Sequence, residues 1–221
     1  METTTVLTVS RQLGCGGAVI GQAVAKRLGM RYADGEILER AAKAAGLLEG
    51  DLAPVEERSP GFWQRVLESL AMGAPDTALA PPIRPSVSAT RLFEIESTII
   101  REIAASCDAV IVGRAGFHVL AGRPGVTNVM VHARLAWRIR RVMEVFSLAT
   151  PDEAAAMIEM SDRRRAQFIR TVTGMCWTDA CAFDLCVDTS ATGLEVAVEV
   201  IATLLASHLA RNRGALAQPA V

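Results

Sequence analysis

The residues best suited to chemistry lie where a short β-branched run gives way to glycine. Val6-Leu7-Thr8-Val9 leads into Ser10-Arg11-Gln12-Leu13-Gly14-Cys15-Gly16-Gly17-Ala18, after which Val19, Ile20, Ala23, Val24 and Leu28 recur at helical spacing. A strand that turns through glycines into a helix aims several backbone N–H groups at one point, and the helix dipole adds a favourable field for an anion. Gly14, Cys15, Gly16, Gly17 and Ala18 are therefore the candidate phosphate-binding residues. Glycines also serve tight strand-to-helix packing, so the turn alone leaves both readings open. The G-x-x-x-x-G-K-[ST] pattern is not met, because Gly17 and Ala18 stand where a lysine and a metal-binding hydroxyl are expected.

Arginines supply the second group. Of the 23 basic residues only Lys26 and Lys43 are lysines, and the planar guanidinium fork suits bidentate contact with phosphate. Arg114 follows Val110-Ile111-Val112-Gly113 and reads as a ligand contact at a strand's carboxyl end, or as a surface ion pair. Asp34 and, a turn and a half later, Arg40 either face one cleft or form a solvated helix start. Four arginines crowd Ser161–Arg170; Arg163 and Arg170 share a helix face and could close over a polyphosphate, the alternative being a solvated charged helix. Arg134, Arg138 and Arg141 read as a surface stripe.

The bulk properties set limits. The chain has 221 residues, 51% of them hydrophobic, enough for one substantial domain, and its net charge of −1 gives no general attraction to nucleic acid or membrane. No leader is evident and no apolar run approaches the roughly 20 residues that span a bilayer, so a cytoplasmic protein is expected. Five cysteines, an odd number without a C-x-x-C pair, suit reduced thiols. Cys176, Cys181 and Cys186 fit neither zinc nor iron–sulfur spacing and are expected to be buried; His118, His132 and His208 have no ligand spacing, so no metal ligands are assigned.

The elements that must position these residues alternate. Strands are expected at 6–9, 31–34, 109–112, 126–131 and 185–188, with helices at 19–28, 36–45, 92–103 and 134–146, a Pro-capped helix from Thr150-Pro151-Asp152-Glu153, and a last helix ending near Leu209. Thr192 and Glu195 suggest a capping box before that helix, and the tail after Arg211 is expected to fray. Between them, 54–61 reads as a break, 62–72 as an amphipathic helix and 73–88 as an Ala/Pro-rich stretch, together a mobile insertion over about 50–90. Short apolar strands alternating with helices imply an α/β fold whose parallel sheet is covered on both faces, with ligands at the strands' carboxyl ends.

Val9-Ser10-Arg11-Gln12-Leu13-Gly14-Cys15-Gly16-Gly17, Tyr32-Ala33-Asp34, Val110-Ile111-Val112-Gly113-Arg114 and Phe183–Ser190, in this order, resemble the cytidylate kinase-like proteins, a divergent branch of the P-loop nucleoside monophosphate kinases. The resemblance spans about residues 4–205. It implies a three-layer P-loop NTPase-type fold with a five-stranded parallel sheet of order 2-3-1-4-5, a mobile monophosphate-binding region and an arginine-bearing lid at about 150–175. The implied reaction is ATP + CMP or dCMP giving ADP and CDP or dCDP, with Mg²⁺, on small-molecule nucleotides. It places Arg11 to Ala18 on the donor phosphates, Asp34, Arg40 and Arg114 on the acceptor side, Arg163 and Arg170 with Arg11 and Arg114 on the transferred group, and Asp188 and Thr189 near the donor base. Ala115 replaces the aspartate that follows Gly-Arg in cytidylate kinases, and Ala18 an arginine frequent in the divergent branch. A catalytically inactive nucleotide-binding or regulatory protein of the same fold is the competing expectation.

Overall fold

A computed structural model describes residues 4–44 and 89–214. The expected break, amphipathic helix and Ala/Pro-rich stretch lie outside the described residues. Five strands, β1 (Val6–Arg11), β2 (Arg31–Ala33), β3 (Ala109–Val112), β4 (Val126–His132) and β5 (Leu185–Asp188), form one parallel sheet of order β2-β3-β1-β4-β5. Val9 pairs with Val112, where β3 ends, on one side and with Val129 on the other, and β1 and β4 run on together to Arg11 and His132, so the three central strands end on the same side of the sheet. That register places the residues after them at one rim.

Both sheet faces are apolar, as the uninterrupted strands require. On one face Leu7, Val9, Val110, Val112, Val129 and Val131 meet Ile20 and Val24 of α1 (Gly17–Leu28) and Ala197, Ile201 and Leu205 of α7 (Thr189–Gly214). On the other, Val6, Ala109 and Ile111 meet Ile37 and Ala41 of α2 (Gly35–Ala44) and Ile99, Ile100 and Ile103 of α3 (Ala89–Ser106). A short helix that the sequence pattern did not suggest, α4 (Gly116–Val119), follows β3.

Beyond β4, α5 (Leu135–Phe146) packs on α6 (Pro151–Thr173). Pro151 opens α6, and its capping box is formed as expected: Glu153 N–H donates to the Thr150 hydroxyl at 3.3 Å and the Glu153 carboxylate accepts from Thr150 N–H. The second expected box is not formed. The helix starts at Thr189 and is broken at Gly193, where φ is 73° and ψ 172°, and the Thr192 hydroxyl lies on the carbonyls of Asp188 and Gly193 at 3.1 and 3.0 Å.

Thr189–Ala210 of α7 is, by length and composition alone, apolar enough to cross a membrane, although Glu195 and Glu199 interrupt the run and Ala197, Ile201 and Leu205 pack into the core. Two further expectations are corrected. Cys176, Cys181 and Cys186 are exposed rather than buried, since β5 is an edge strand and the approach to it runs over the surface. Arg138 is no surface residue: it is 8% exposed and shares the inward stripe of α5 with Val142.

Candidate functional site

The loop between β1 and α1 turns at Gly14 and Gly16, with φ of 83° and 86°. It opens toward the first turn of α1, whose leading N–H groups have no partner within the helix. The Cys15 thiol is buried beneath it, donates to the Val131 carbonyl at 3.2 Å, and is pushed up by that burial. Thr189 also supports the loop from below. It is fully buried and its hydroxyl donates toward the Cys15 carbonyl at 2.9 Å and that of His132 at 3.2 Å, which makes it a brace for the loop.

Arg11 leaves the end of β1 and crosses the mouth of this loop through a passage that two glycines keep open. A Cβ on Gly17 would stand 2.5 Å from the Arg11 Cβ, and one on Gly113 would stand 2.0 Å from its Nη1. The guanidinium ends 3.6 Å from Asp34, which also accepts from the Tyr32 hydroxyl at 3.3 Å. Burial, followed by the Asp34 charge, raises the Tyr32 phenol well above its ordinary range.

Arg114 lies at the rim of β3 within three consecutive left-handed residues, Gly113, Arg114 and Ala115, at φ of 78°, 54° and 52°. Two non-glycine residues held there store backbone strain of about 1–3 kcal/mol each. Its side chain is 14% exposed and pairs at 3.1 Å with Glu96, which is fully buried on α3. Burial pushes the Glu96 carboxyl up against the opposing pull of Arg114; burial pulls Arg114 down against the opposing charge of Glu96, and the nearby charge of Arg11 adds to the lowering.

A third arginine reaches the same place from α6. Arg165 is half-buried and lies 3.4 Å from Asp162. Burial and then the facing charge of Arg11 bring it down to about 10, and Cys15 and Arg114 are also close enough to act on it. Arg11, Arg114 and Arg165 thus converge from three elements, each held by a carboxylate from another position: Asp34, Glu96 and Asp162. Such an array attracts a compact polyanion, because the three cations act on one another and their mutual repulsion is relieved when negative charge enters.

The sequence pointed to Arg163 and Arg170 in this role, and the geometry does not. Arg163 is exposed, its side chain 76% accessible, and pairs with Glu159 at 3.0 Å; Arg170 is exposed as well. The buried residues Ala154, Ile158 and Ile169 fix the phase of α6. Asp162 and Arg165 continue that stripe at i, i+4 and i+7, a spacing that could have been read from the sequence. Arg40 is not beside Arg11 either. It pairs with Glu102 at 2.6 Å and lies 3.9 Å from Glu36, lining a groove of about 350 Å³ between α2 and α3.

On the other side of the loop, Asp188 accepts from the Ser190 N–H at 2.9 Å and from its hydroxyl, and these bonds hold its carboxyl below the ordinary range. Arg134 stands 4.0 Å from it, and Arg141 lies over the Trp137 ring at 5.6 Å.

A glycine loop after the first strand, a parallel sheet of this order and arginines at the strand ends together define a kinase-type nucleotide-binding α/β protein. The chain belongs to the cytidylate kinase-like family, whose model matches residues 6–191. A search of curated proteins returns no match. Among solved structures, an uncharacterized protein from Eubacterium ventriosum ATCC 27560 is similar with a TM-score of 0.67 at 16% identity, over 92% of this chain and 99% of that one. A gluconokinase from Sinorhizobium meliloti 1021 gives 0.54 at 15% identity, over 99% and 100% of the two chains. A shikimate kinase from Bacteroides thetaiotaomicron gives 0.50 at 13% identity, over 91% and 98%. At these identities the likeness is one of fold.

Proposed function

We propose that this protein transfers the terminal phosphoryl group of ATP to a pyrimidine nucleoside monophosphate, CMP or dCMP, releasing ADP and CDP or dCDP. The observation that carries the reading is the convergence of Arg11, Arg114 and Arg165 at the loop mouth. Phosphoryl transfer asks little covalent chemistry of the protein. Catalysis is positioning plus stabilisation of charge on the moving group, and fixed guanidinium groups can supply what a loop lysine supplies elsewhere.

In this scheme Gly14 to Ala18 hold the donor phosphates by their backbone, Asp188 lies near the donor base, and Asp34 and Arg114 serve the acceptor. Arg11 and Arg165 face the transferred group. Among the described residues no cluster of three or more His, Cys, Asp or Glu could hold a metal by itself. Mg²⁺ would arrive on the phosphates with its waters, and Asp34 is the partly exposed carboxylate at the loop mouth that could meet it. The ion would neutralise phosphate charge as it develops.

Gly17 and Ala18, in place of lysine and hydroxyl, favour a second reading, a protein that binds nucleotide without turnover. A coupled ADP-release assay with ATP, Mg²⁺ and CMP, dCMP, UMP or AMP separates the two. Turnover with CMP or dCMP is expected. A folded protein whose melting temperature rises with ATP but which releases no ADP with any acceptor overturns the kinase reading in favour of the second.

A further inference from the structure

Leu13, the residue that opens the glycine turn, has both backbone polar groups taken by elements far away in sequence. Its N–H donates to Asp162 Oδ1 on α6 at 2.9 Å, and its carbonyl accepts from Arg138 Nη1 on α5 at 3.3 Å. Asp162 and Arg138 pair directly, and Asp162 also holds Arg165. The arrangement is enclosed: the Arg138 side chain is 9% and that of Asp162 17% exposed, and the Leu13 side chain packs against the Val142, Ala154 and Ile158 cluster. A carboxylate on a backbone N–H, a guanidinium on the adjoining carbonyl and an ion pair between them make a clamp in which each bond is charge-assisted and shielded from water.

We infer that Asp162 and Arg138 are positioning residues that fasten the phosphate loop to α6, so that the loop backbone and Arg165 respond to a ligand as one body. Asp162 is the hinge of this coupling because one carboxylate holds both the loop, through Leu13, and the arginine that faces it. The clamp is made wholly of the chain's own groups. It holds Arg165 at the loop without help from a ligand atom, which lowers the ordering cost that binding must meet. The charged groups that face Asp162 are Arg138 from α5 and Arg165 from its own helix. The ligand-coupled part of the inference rests on nucleotide binding at the loop, as proposed above; the clamp itself does not.

Amide hydrogen exchange by NMR on the full chain tests it. In Asp162→Ala the Leu13 amide is expected to exchange about tenfold or more faster, the scale set by losing a hydrogen bond to a charged acceptor, while sheet amides such as Gly113, bonded to Val9, keep their wild-type rates. Asp162→Asn keeps an acceptor oxygen and is expected to restore most of the protection. Arg138→Met, which removes the ion pair and keeps the bulk, is expected to fall between them. In the wild type ATP is expected to slow exchange both in the loop and along α6 around Arg165; in Asp162→Ala it slows the loop alone. Unchanged Leu13 exchange in folded Asp162→Ala overturns the clamp. ATP protection that still reaches α6 in that variant overturns the coupling. Absence of any ATP effect in the wild type overturns the coupling together with the nucleotide-binding reading, and Leu13 still decides the clamp.

Discussion

Two arginines on α6, Arg163 and Arg165, stand two positions apart and have opposite surroundings. Arg165 turns toward the sheet's rim, pairs with a carboxylate that is 17% exposed, and feels the charges of Arg11 and Arg114. Arg163 turns outward and pairs with Glu159, both side chains more than 70% accessible. Surface pairs of the second kind contribute little, because water and salt screen them and two long side chains must be immobilised. A site is made by where an arginine's partner sits, and the local density of arginines says nothing of that.

The widest contrast lies between Glu96, fully buried against Arg114, and Glu159 on the outer face of α6. Glu96→Ala leaves a buried guanidinium without its counter-charge and is expected to lower unfolding free energy by about 3–5 kcal/mol in urea titrations. Glu159→Ala is expected to change it by less than about 0.5 kcal/mol. Equal effects would erase the distinction between the two faces.

Activity gives the next contrast. Arg165→Ala is expected to reduce turnover about 10²- to 10³-fold in the coupled assay, the loss typical of removing one fixed donor from a charge-developing centre. Arg163→Ala and Arg170→Ala are expected to stay within about twofold. A large loss in either outer variant would return the site to the face that the sequence suggested.

Gly113→Ala probes the inner region from the sheet side. A methyl there meets the Arg11 guanidinium, and the backbone φ of 78° is unfavourable for alanine. The expected cost is about 1–3 kcal/mol in thermal unfolding, with turnover falling as it does in Arg11→Ala. Smallest is Thr150→Ala, which removes the α6 cap on the exposed side. It is expected to cost about 1 kcal/mol while the KM for nucleotide stays unchanged.

The same contrast explains what could be read in advance. Strands such as Ala109–Val112 were legible because four buried apolar residues in a row suit a sheet covered on both faces, and the Thr150-Pro151 start was legible because capping is local chemistry. The glycine turn was legible for the same reason. Arg165 and Arg138 were legible only through helix phase, which Ile158 and Ile169 set on α6 and Val142 on α5, and the local density of arginines draws attention away from it. Glu96 gave no local signal at all. Its importance comes from Arg114, 18 positions away in sequence and adjacent across the α3–β3 packing.

The central claim is that the glycine loop and three inward arginines form one polyphosphate site, and an ATP titration followed by NMR tests it most directly. The account predicts shifts in the Gly14 to Ala18 amides and in the Nε–H signals of Arg11, Arg114 and Arg165, with those of Arg163 and Arg170 unmoved. Shifts confined to Arg163 and Arg170, or saturable binding that leaves the loop amides unchanged, would contradict it.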